Sequence, residues 1–560
     1  MKRIVLVLCV LCMGASLWAG GQQSGGAAKA GSDGLTPIKM WGTDQQRTWG
    51  GNIYKLSDLI SGKNTSRYWT KLNEEVAKLG LKFDMTLIAQ DQMATAFQTL
   101  LASGQYGNYD WVVPIDVPNE LRLNLVEQGR LIAINKAIDQ YSNGNAKRFY
   151  TQEPAGYSYF NLEKMEDGNV YWLSQNSYGN PDIGSPRVIM IRKDWLDKLG
   201  LKVPTTLDEF FNTVKAFRDR DANGNGIRDE VVSVGAGMSI GIPQWFGLGH
   251  ELVAAVDGKA QSPWYQPGMR EYLQFMNRLY KEGLLLISSG ETGDWEANRV
   301  GVMEFYGRES YYLEPMVGVP AGAAKPLLVP VVIQANPNIK AQVVDDDIGT
   351  SLYLNSYMIT IPAGNKNIAN TMKFLDYATT EDYWLLVNYG IEGYSFSRTA
   401  DNTYTIFRGT EGVDPLMSPS EIQFLWRAWQ AILPTATTAV QSGWRVPRDL
   451  GYEPIAKSLN DQGVDGESRR AFFNDYWAKK WPLIPVQGSV LTFPTKAEIQ
   501  REAAIMTDLN TYSTELATAI IMGEKGVDNA SWNTYLADLK RLGLDEAVNI
   551  FQAKMNRAKK

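Results

Sequence analysis

From residue 36 onward the apolar positions switch repeatedly between a period of two and a period of about 3.6. Pro37–Trp41 (PIKMW) reads as a short strand ending in an aromatic. Trp69–Leu79 has helical spacing, Leu81–Ile88 alternates as a strand, and Met93–Ser103 is helical again. Tyr109–Asp116 (YDWVVPID) is an apolar run bounded by acids, which predicts a buried strand running into a loop. Asn169–Ser174 and Pro186–Arg192 add further strands. Strand and helix alternating in this order predict an α/β sheet covered by helices. Ligands of such sheets bind beyond the carboxyl ends of the strands, and Trp41, Asp116 and Trp172 stand at or near such ends.

A second helix start is written at Thr206-Leu207-Asp208-Glu209, with Thr206 as cap and Glu209 three residues on. Phe210, Phe211, Val214 and Phe217 then fall on one face, an apolar stripe that belongs in a core.

Length adds lobes to this picture: 560 residues exceed what one compact core holds, so two or more are expected. No internal repeat of solenoid length appears, and no long Pro/Ser linker follows the N-terminal region, so several short crossings should join the lobes. The net charge is −6 and the one basic cluster is Arg557-Ala558-Lys559-Lys560, which argues against a nucleic-acid partner.

The N-terminus points to export. Lys2 and Arg3 precede an apolar run from Ile4 to Cys12, and Ser16-Leu17-Trp18-Ala19-Gly20 offers a cleavage point after Ala19. Residues 1–19 are read as a signal peptide, and the Gly/Gln/Ser-rich residues 20–35 as a flexible tether. Both cysteines, Cys9 and Cys12, lie inside the signal, so the mature chain is expected to carry no disulfide, thiol nucleophile or thiolate metal site. Each follows a leucine and neither sits at the cleavage point, which favours a soluble periplasmic protein over a lipid-anchored one.

Asp219–Glu230 is the one stretch where oxygen ligands recur at metal-binding spacing. Calcium takes six to eight oxygens, and loops of alternating Asp and Asn with a Gly at the sharp turn deliver them. Two registers fit. One starts at Asp219 and uses Asp221, Asn223, Gly224 and Glu230. The other starts at Asp221 and uses Asn223, Asn225, Gly226, the carbonyl of Ile227, Asp229 and Glu230. The competing interpretation is a solvated polar turn. A saturated oxygen cage leaves no open position for substrate, so the ion's expected role is structural.

The passage Val188–Glu230 (VIMIRKDWLDKLGLKVPTTLDEFFNTVKAFRDRDANGNGIRDE) resembles the extracellular solute-binding proteins of bacterial ABC importers, a family 1-like pattern. It is most similar to the large members that carry oligosaccharides. Tyr280-Lys281-Glu282-Gly283-Leu284 closes an amphipathic helix beginning near Arg270, as in that family. Ser356–Pro362 (SYMITIP) looks like a crossing strand, Asn365–Tyr377 is a helix containing MKFLDY, and Asn388–Gly393 reads NYGIEG. The likeness runs in order over residues 35–400 and loosens after residue 450.

The resemblance implies a periplasmic binding protein type II fold, with two α/β lobes, a ligand cleft and three interlobe crossings. Lobe 1 would comprise residues 36–175 plus 360–425, and lobe 2 residues 176–359 plus 426–560. It implies the second loop register, with Asp221, Asn223, Asn225, Ile227, Asp229 and Glu230 around a structural Ca²⁺. The expected partners are an oligosaccharide, with acidic ones among the candidates, and ABC permease subunits, with the chain a monomer. Sugars present apolar ring faces and a belt of hydroxyls, so the cleft needs flat aromatics and hydrogen-bonding side chains. Among seventeen Trp and twenty-seven Tyr, the candidate platforms are Trp41, Trp172, Trp245, Trp264, Trp295, Tyr306, Trp426 and Trp429. Asp44, Gln45, Asp116, Asn176, Glu304 and Arg308 are the polar candidates.

Two other classes stay open. A secreted carbohydrate-active enzyme would use paired carboxylates, whose separation is a tertiary fact. The lone histidine, His250, has no partner at useful spacing, and no phosphate-binding Gly-rich loop appears, so catalytic motifs are sparse. A ligand-loaded partner of a sensor kinase or chemoreceptor would use the same fold.

Overall fold

A computed structural model of the chain describes residues 32–44, 46–49, 52–63, 67–151, 158–174, 187–233, 241–249, 251–256, 258–286, 294, 297–306, 328–331, 333–338, 343–344, 358–388, 390–394, 396–398, 404–406, 432, 485–486 and 492–558. Its strands begin with β1 (Thr36–Asp44), which the short hairpin strands β2 (Gln46–Trp49) and β3 (Asn52–Lys55) follow. Next come β4 (Leu81–Ala89), β5 (Trp111–Val112), β6 (Trp172–Ser174), β7 (Arg187–Arg192) and β8 (Val231–Ser233).

The first sheet has the order β4, β1, β5, Met358–Thr360, β6. β1 runs parallel to β4 along its whole length, from Thr36 opposite Leu81 to Asp44 opposite Ala89. It also pairs in parallel with β5, Met40 with Trp111 and Trp41 with Val112. The strand Met358–Thr360 returns after the second sheet is built and inserts antiparallel between β5 and β6.

Side chains alternate along a strand, so Ile38 and Met40 enter one core and Trp41 the other. A central parallel strand covered on both faces is buried without interruption, as Met40–Thr43 is. On the first face lie Tyr68, Leu72 and Val76 of helix Arg67–Lys78, with Met372, Phe374 and Leu375 of helix Ile368–Ala378. Phe374 meets Trp111 at 5.8 Å and Phe83 at 5.3 Å, both edge-on. On the second face lie Met93, Phe97, Leu100 and Leu101 of helix Met93–Ala102.

The second sheet has the order Leu328–Val331, β7, Val300–Tyr306, β8. Val300–Tyr306 runs parallel to β8 and antiparallel to β7. Helix Leu207–Asp219 packs on it through Phe210, Val214 and Phe217, each buried aromatic or aliphatic side chain contributing about 1.5–3 kcal/mol. Phe217 and Trp195 meet edge-on at 5.3 Å directly against Gly301, where an added Cβ would stand 2.7 Å from the Phe217 ring. Thr206 caps this helix by accepting from Glu209 N, while the Glu209 carboxylate reaches back to Thr205 rather than to Thr206. Helix Gly268–Lys281 ends at Gly283, whose φ of +71° places it in the left-handed region.

The chain thus builds two α/β lobes and passes between their sheets within residues 175–186 and between Val331 and Met358. The expected strand Tyr109–Asp116 is regular only at Trp111–Val112, because the chain then turns through Pro114 to Asp116 at φ +49°. Ile432, Phe493 and Ile499 fall within the stretch expected in lobe 2, yet they pack in the first lobe's cores. Trp111 Nε1 donates to the Ile432 carbonyl at 2.8 Å.

Candidate functional site

The carboxyl end of β1 delivers Asp44, and that of β5 leads to Asp116. Asp44 accepts from Ser57 N at 2.9 Å and Ser57 Oγ at 2.7 Å, which ties the start of helix Leu56–Ile60 to the strand end. Between them the β2–β3 hairpin projects from the end of β1, with Gln46 opposite Lys55 and Trp49 opposite Asn52. Asp116 is exposed and left-handed, a conformation that costs a non-glycine residue about 1–2 kcal/mol. Strain of that kind concentrates at functional sites, and Asp116 is the one candidate from the strand ends that is both exposed and strained among the described residues.

Four of the expected aromatic platforms are elsewhere. Trp41 and Trp172 are 3% and 0% exposed and pack in the second-face core of the first sheet. Phe493 lies 4.7 Å from the Trp172 ring, and Trp172 Nε1 donates to Glu163. Trp245 and Trp264 are both 2% exposed in the second lobe's core. An indole enclosed by neighbours has no face left for a sugar ring. Pro and Gly around Trp245 and Trp264 do mark irregular chain, but that chain is a buried short helix (Gly241–Trp245) and a buried turn capped by Ser262. Glu304 is likewise engaged, accepting from Gly241 N at 3.0 Å. Tyr306 ends the strand Val300–Tyr306. Trp295, Trp426, Trp429, Gln45, Asn176, Arg308 and His250 lie outside the described residues.

The oxygen-rich loop is fully described. It begins where Asp221 takes φ +50° and turns again at Gly224 and Gly226, at φ +79° and +80°. The Asp221 carboxylate accepts three backbone N–H bonds of 3.0 Å, from Gly224 and Asn225 at Oδ1 and from Gly226 at Oδ2. Asn223 Oδ1 accepts from Asn225 N at 2.9 Å, and Asn225 Oδ1 from Ile227 N at 2.7 Å. These are side-chain-to-backbone turns two residues long, the reason Asn and Asp suit such loops. Both Asn amides donate to Asp229 Oδ1, and Asn223 N donates to Glu230 Oε1.

Glu230 is 1% exposed, and its Oε2 is buried without a hydrogen-bond partner. Burial first, then the nearby charges of Asp229 and Asp221, push its carboxyl above the usual range. Asp219 is bound by the Arg218 guanidinium at 2.8–2.9 Å, which takes the starting carboxylate of the first register. One participant carries no sequence signal: Lys198, in the last turn of helix Lys193–Leu199, donates to the carbonyls of Ala222 at 2.8 Å and Asp221 at 3.4 Å. Among the described residues no three His, Cys, Asp or Glu side chains converge as a metal-holding group. The loop's oxygens are a mixture of carboxylates, amide oxygens and backbone carbonyls.

Comparison with known proteins gives a consistent picture. The family model for bacterial extracellular solute-binding protein matches residues 62–383, more than half of the chain. The chain is 24% identical over 466 residues to the fructooligosaccharide ABC transporter substrate-binding protein FusA of Streptococcus pneumoniae, covering 77% of this chain and 76% of that one. It is 28% identical over 293 residues to the lipoprotein LipO of Bacillus subtilis, covering 48% and 56%. It is 23% identical over 427 residues to the polygalacturonan/rhamnogalacturonan-binding protein YtcQ of Bacillus subtilis, covering 72% and 76%. Among solved structures, FusA in complex with kestose superposes with a TM-score of 0.65 at 19% identity, over 93% of this chain and 99% of that one. FusA solved as an EF-hand mutant gives 0.63 at 20%, over 93% and 99%. The alginate-binding protein AlgQ2 without calcium ion gives 0.58 at 20%, over 93% and 97%.

Proposed function

Because the chain belongs to the bacterial extracellular solute-binding protein family, we propose that it is the exported capture component of an ABC importer, with an oligosaccharide as cargo. The observation that carries the reading is the match to a named fructooligosaccharide-binding protein across three quarters of both chains. The likeness to a polygalacturonan/rhamnogalacturonan-binding protein supports a cargo with acidic sugar units among the candidates. The two sheets, joined by chain that leaves the first and returns to it, are the architecture of a clamshell. Ligand contact with both lobes favours the closed form over the open one, and closure presents the loaded protein to the permease. The cargo leaves unchanged, since the site is asked only to bind. Calorimetric titration with kestose, oligogalacturonides and alginate oligosaccharides tests this, with chromatography of the recovered sugar.

In the same reading the Asp221–Glu230 loop holds a structural Ca²⁺ through Asp221, Asn223, Asn225, the Ile227 carbonyl, Asp229 and Glu230. The support is the unpartnered buried Glu230 Oε2 and the two carboxylates, Asp221 and Asp229, whose charges act on it, a charge that a divalent cation would neutralise. That FusA was solved as an EF-hand mutant and AlgQ2 without calcium ion adds weight. The ion would pin the loop between helix Leu207–Asp219 and β8. We further propose a soluble monomer released after signal cleavage. Mass spectrometry of the mature N-terminus separates it from the lipid-anchored form that the likeness to LipO raises, and sedimentation checks the monomer.

A further inference from the structure

The long helix Lys496–Met522 is shared by both lobes. Its entry lies on the first lobe: Phe493 and Ile499 pack with Trp41, Phe97, Val112, Trp172 and Met358. Phe493 N donates to the Leu162 carbonyl at 2.7 Å, Lys496 N to Glu166 Oε2 at 2.9 Å, and Lys496 Nζ bonds Glu127 at 2.5 Å. Six residues later the helix is in the second lobe's core, where Ile505, Leu509, Leu516, Ala517, Ile520 and Ile521 are buried. There Asn277 Nδ2 donates to the Ile521 carbonyl at 2.8 Å. Between these anchorages Gln500, Arg501, Ala503 and Ala504 are exposed.

The rod is stiff. It contains neither Gly nor Pro between Lys496 and Met522, the usual causes of a kink. The C-terminal helix Leu544–Ala558 splints its first-lobe end. Arg557 makes a two-pronged pair with Glu498 at 2.8 and 2.6 Å, Lys554 (5% exposed) bonds Glu502 at 2.5 Å, and Arg501 pairs with Glu546 at 2.6 Å. Two-pronged Arg–carboxylate pairs, such as the part-buried Arg557–Glu498, fix geometry.

A stiff rod gripped by two bodies limits how they turn. Relative motion of the lobes has to carry the rod with the body that holds it more firmly and rotate about its attachment to the other. The second lobe buries six of its residues, while the first lobe buries one helical residue and the Phe493 lead-in. We infer that Lys496–Met522 is a hinge strut that travels with the second lobe and pivots at residues 493–499 on the first. The inference rests on the two-lobed closing architecture proposed above. From Ile499 to Ile521 the rod spans about 33 Å, so a pivot of roughly 20° would swing its far end by on the order of 10 Å.

Electron–electron distance measurements on spin-label pairs test this in the full chain, with Cys9 and Cys12 replaced by Ser. The exposed positions Glu74 on the first lobe, Lys202 on the second, Asp508 on the rod, and Gln128 with Gln500 beside the pivot serve as label sites. The expected pattern is a narrow Gln128–Gln500 distance, a narrow Lys202–Asp508 distance, and broad Glu74–Asp508 and Glu74–Lys202 distributions spread by on the order of 10 Å. Ala503→Gly/Ala504→Gly, which softens the rod between its anchorages, should broaden the Glu74–Lys202 distribution further. A Glu74–Asp508 distance as narrow as Lys202–Asp508, or a Gln128–Gln500 distance as broad as the lobe pair, overturns the inference. Those wild-type distances decide the matter even where the glycine variant does not fold. No ligand is required, so a protein that bound no sugar would still answer the question.

Discussion

Asp221→Asn separates a metal-holding loop from a self-sufficient polar turn. The Asp221 carboxylate accepts three backbone N–H bonds while its own backbone sits at φ +50°. Asparagine tolerates that φ and keeps one carbonyl oxygen, so the change removes about one hydrogen bond and the charge assistance on the others. Residues 224–226 are exposed and water replaces part of what is lost, leaving a metal-free cost of about 1–2 kcal/mol. Calcium present at about 100 times its Kd stabilises the wild type by roughly 2.7 kcal/mol. If the second lobe melts as a cooperative unit of about 250 residues, that gain corresponds to roughly 5–10 °C in Tm. Scanning calorimetry in excess chelator and in millimolar calcium reads both quantities. The expected result is a calcium-dependent rise of that size in the wild type, shrinking to less than about 2 °C in Asp221→Asn. Asp219→Asn, whose carboxylate is held by Arg218, should retain the full rise. Equal rises in wild type and Asp221→Asn, or none in the wild type, would refute the reasoning.

Phe217→Ala opens a cavity against Trp195 at a fully buried site and should cost about 3–5 kcal/mol, read by urea denaturation of the second lobe. Asp110 bears a carboxyl that burial pushes above the usual range, against the opposing Lys39 N–H and Asn367 amide. Its folded-state value is therefore the higher one, and the stability it contributes is present at low pH and lost as pH rises through that raised value. Asp110→Asn should flatten the Tm profile as pH rises above the ordinary carboxylate range at about 4. Trp245→Phe should lower total Trp emission while leaving the amount of iodide-quenchable emission unchanged, so that the quenchable fraction rises, since that indole is 2% exposed. Thr495→Ala removes the capping-box hydroxyl that accepts from Glu498 N and should cost about 1 kcal/mol by thermal melting.

Regular elements were legible where one physical signal ruled them. The core of β1, read as Pro37–Trp41, and its parallel partner β4 follow from short-range apolar patterning that alternates in Leu81–Ile88, and helix Leu207–Asp219 from its cap and its Phe stripe. The oxygen-rich loop was legible as a turn because most of its hydrogen bonds are local, made within Asp221–Glu230. The binding aromatics were not. Whether a Trp faces a cleft or a core depends on what distant chain covers it. Trp172 is covered by Phe493, more than 300 positions away. The same reason hid the sharing of helix Lys496–Met522 between two cores, since the sequence near residue 500 says nothing of which cores it enters. Lys198 was invisible for a smaller-scale version of the same cause: helix Lys193–Leu199 brings its ammonium to carbonyls 23 and 24 residues further on.

Titration calorimetry of the purified protein against a panel of neutral and uronic-acid oligosaccharides, with the sugar recovered afterwards, addresses the central claim most directly. Saturable one-site binding of at least one member, with that sugar returned at its original length and without new reducing or unsaturated ends, is the predicted result. Binding of peptides or lipids with no response to any glycan, or steady conversion of the bound sugar into shorter products, would contradict it.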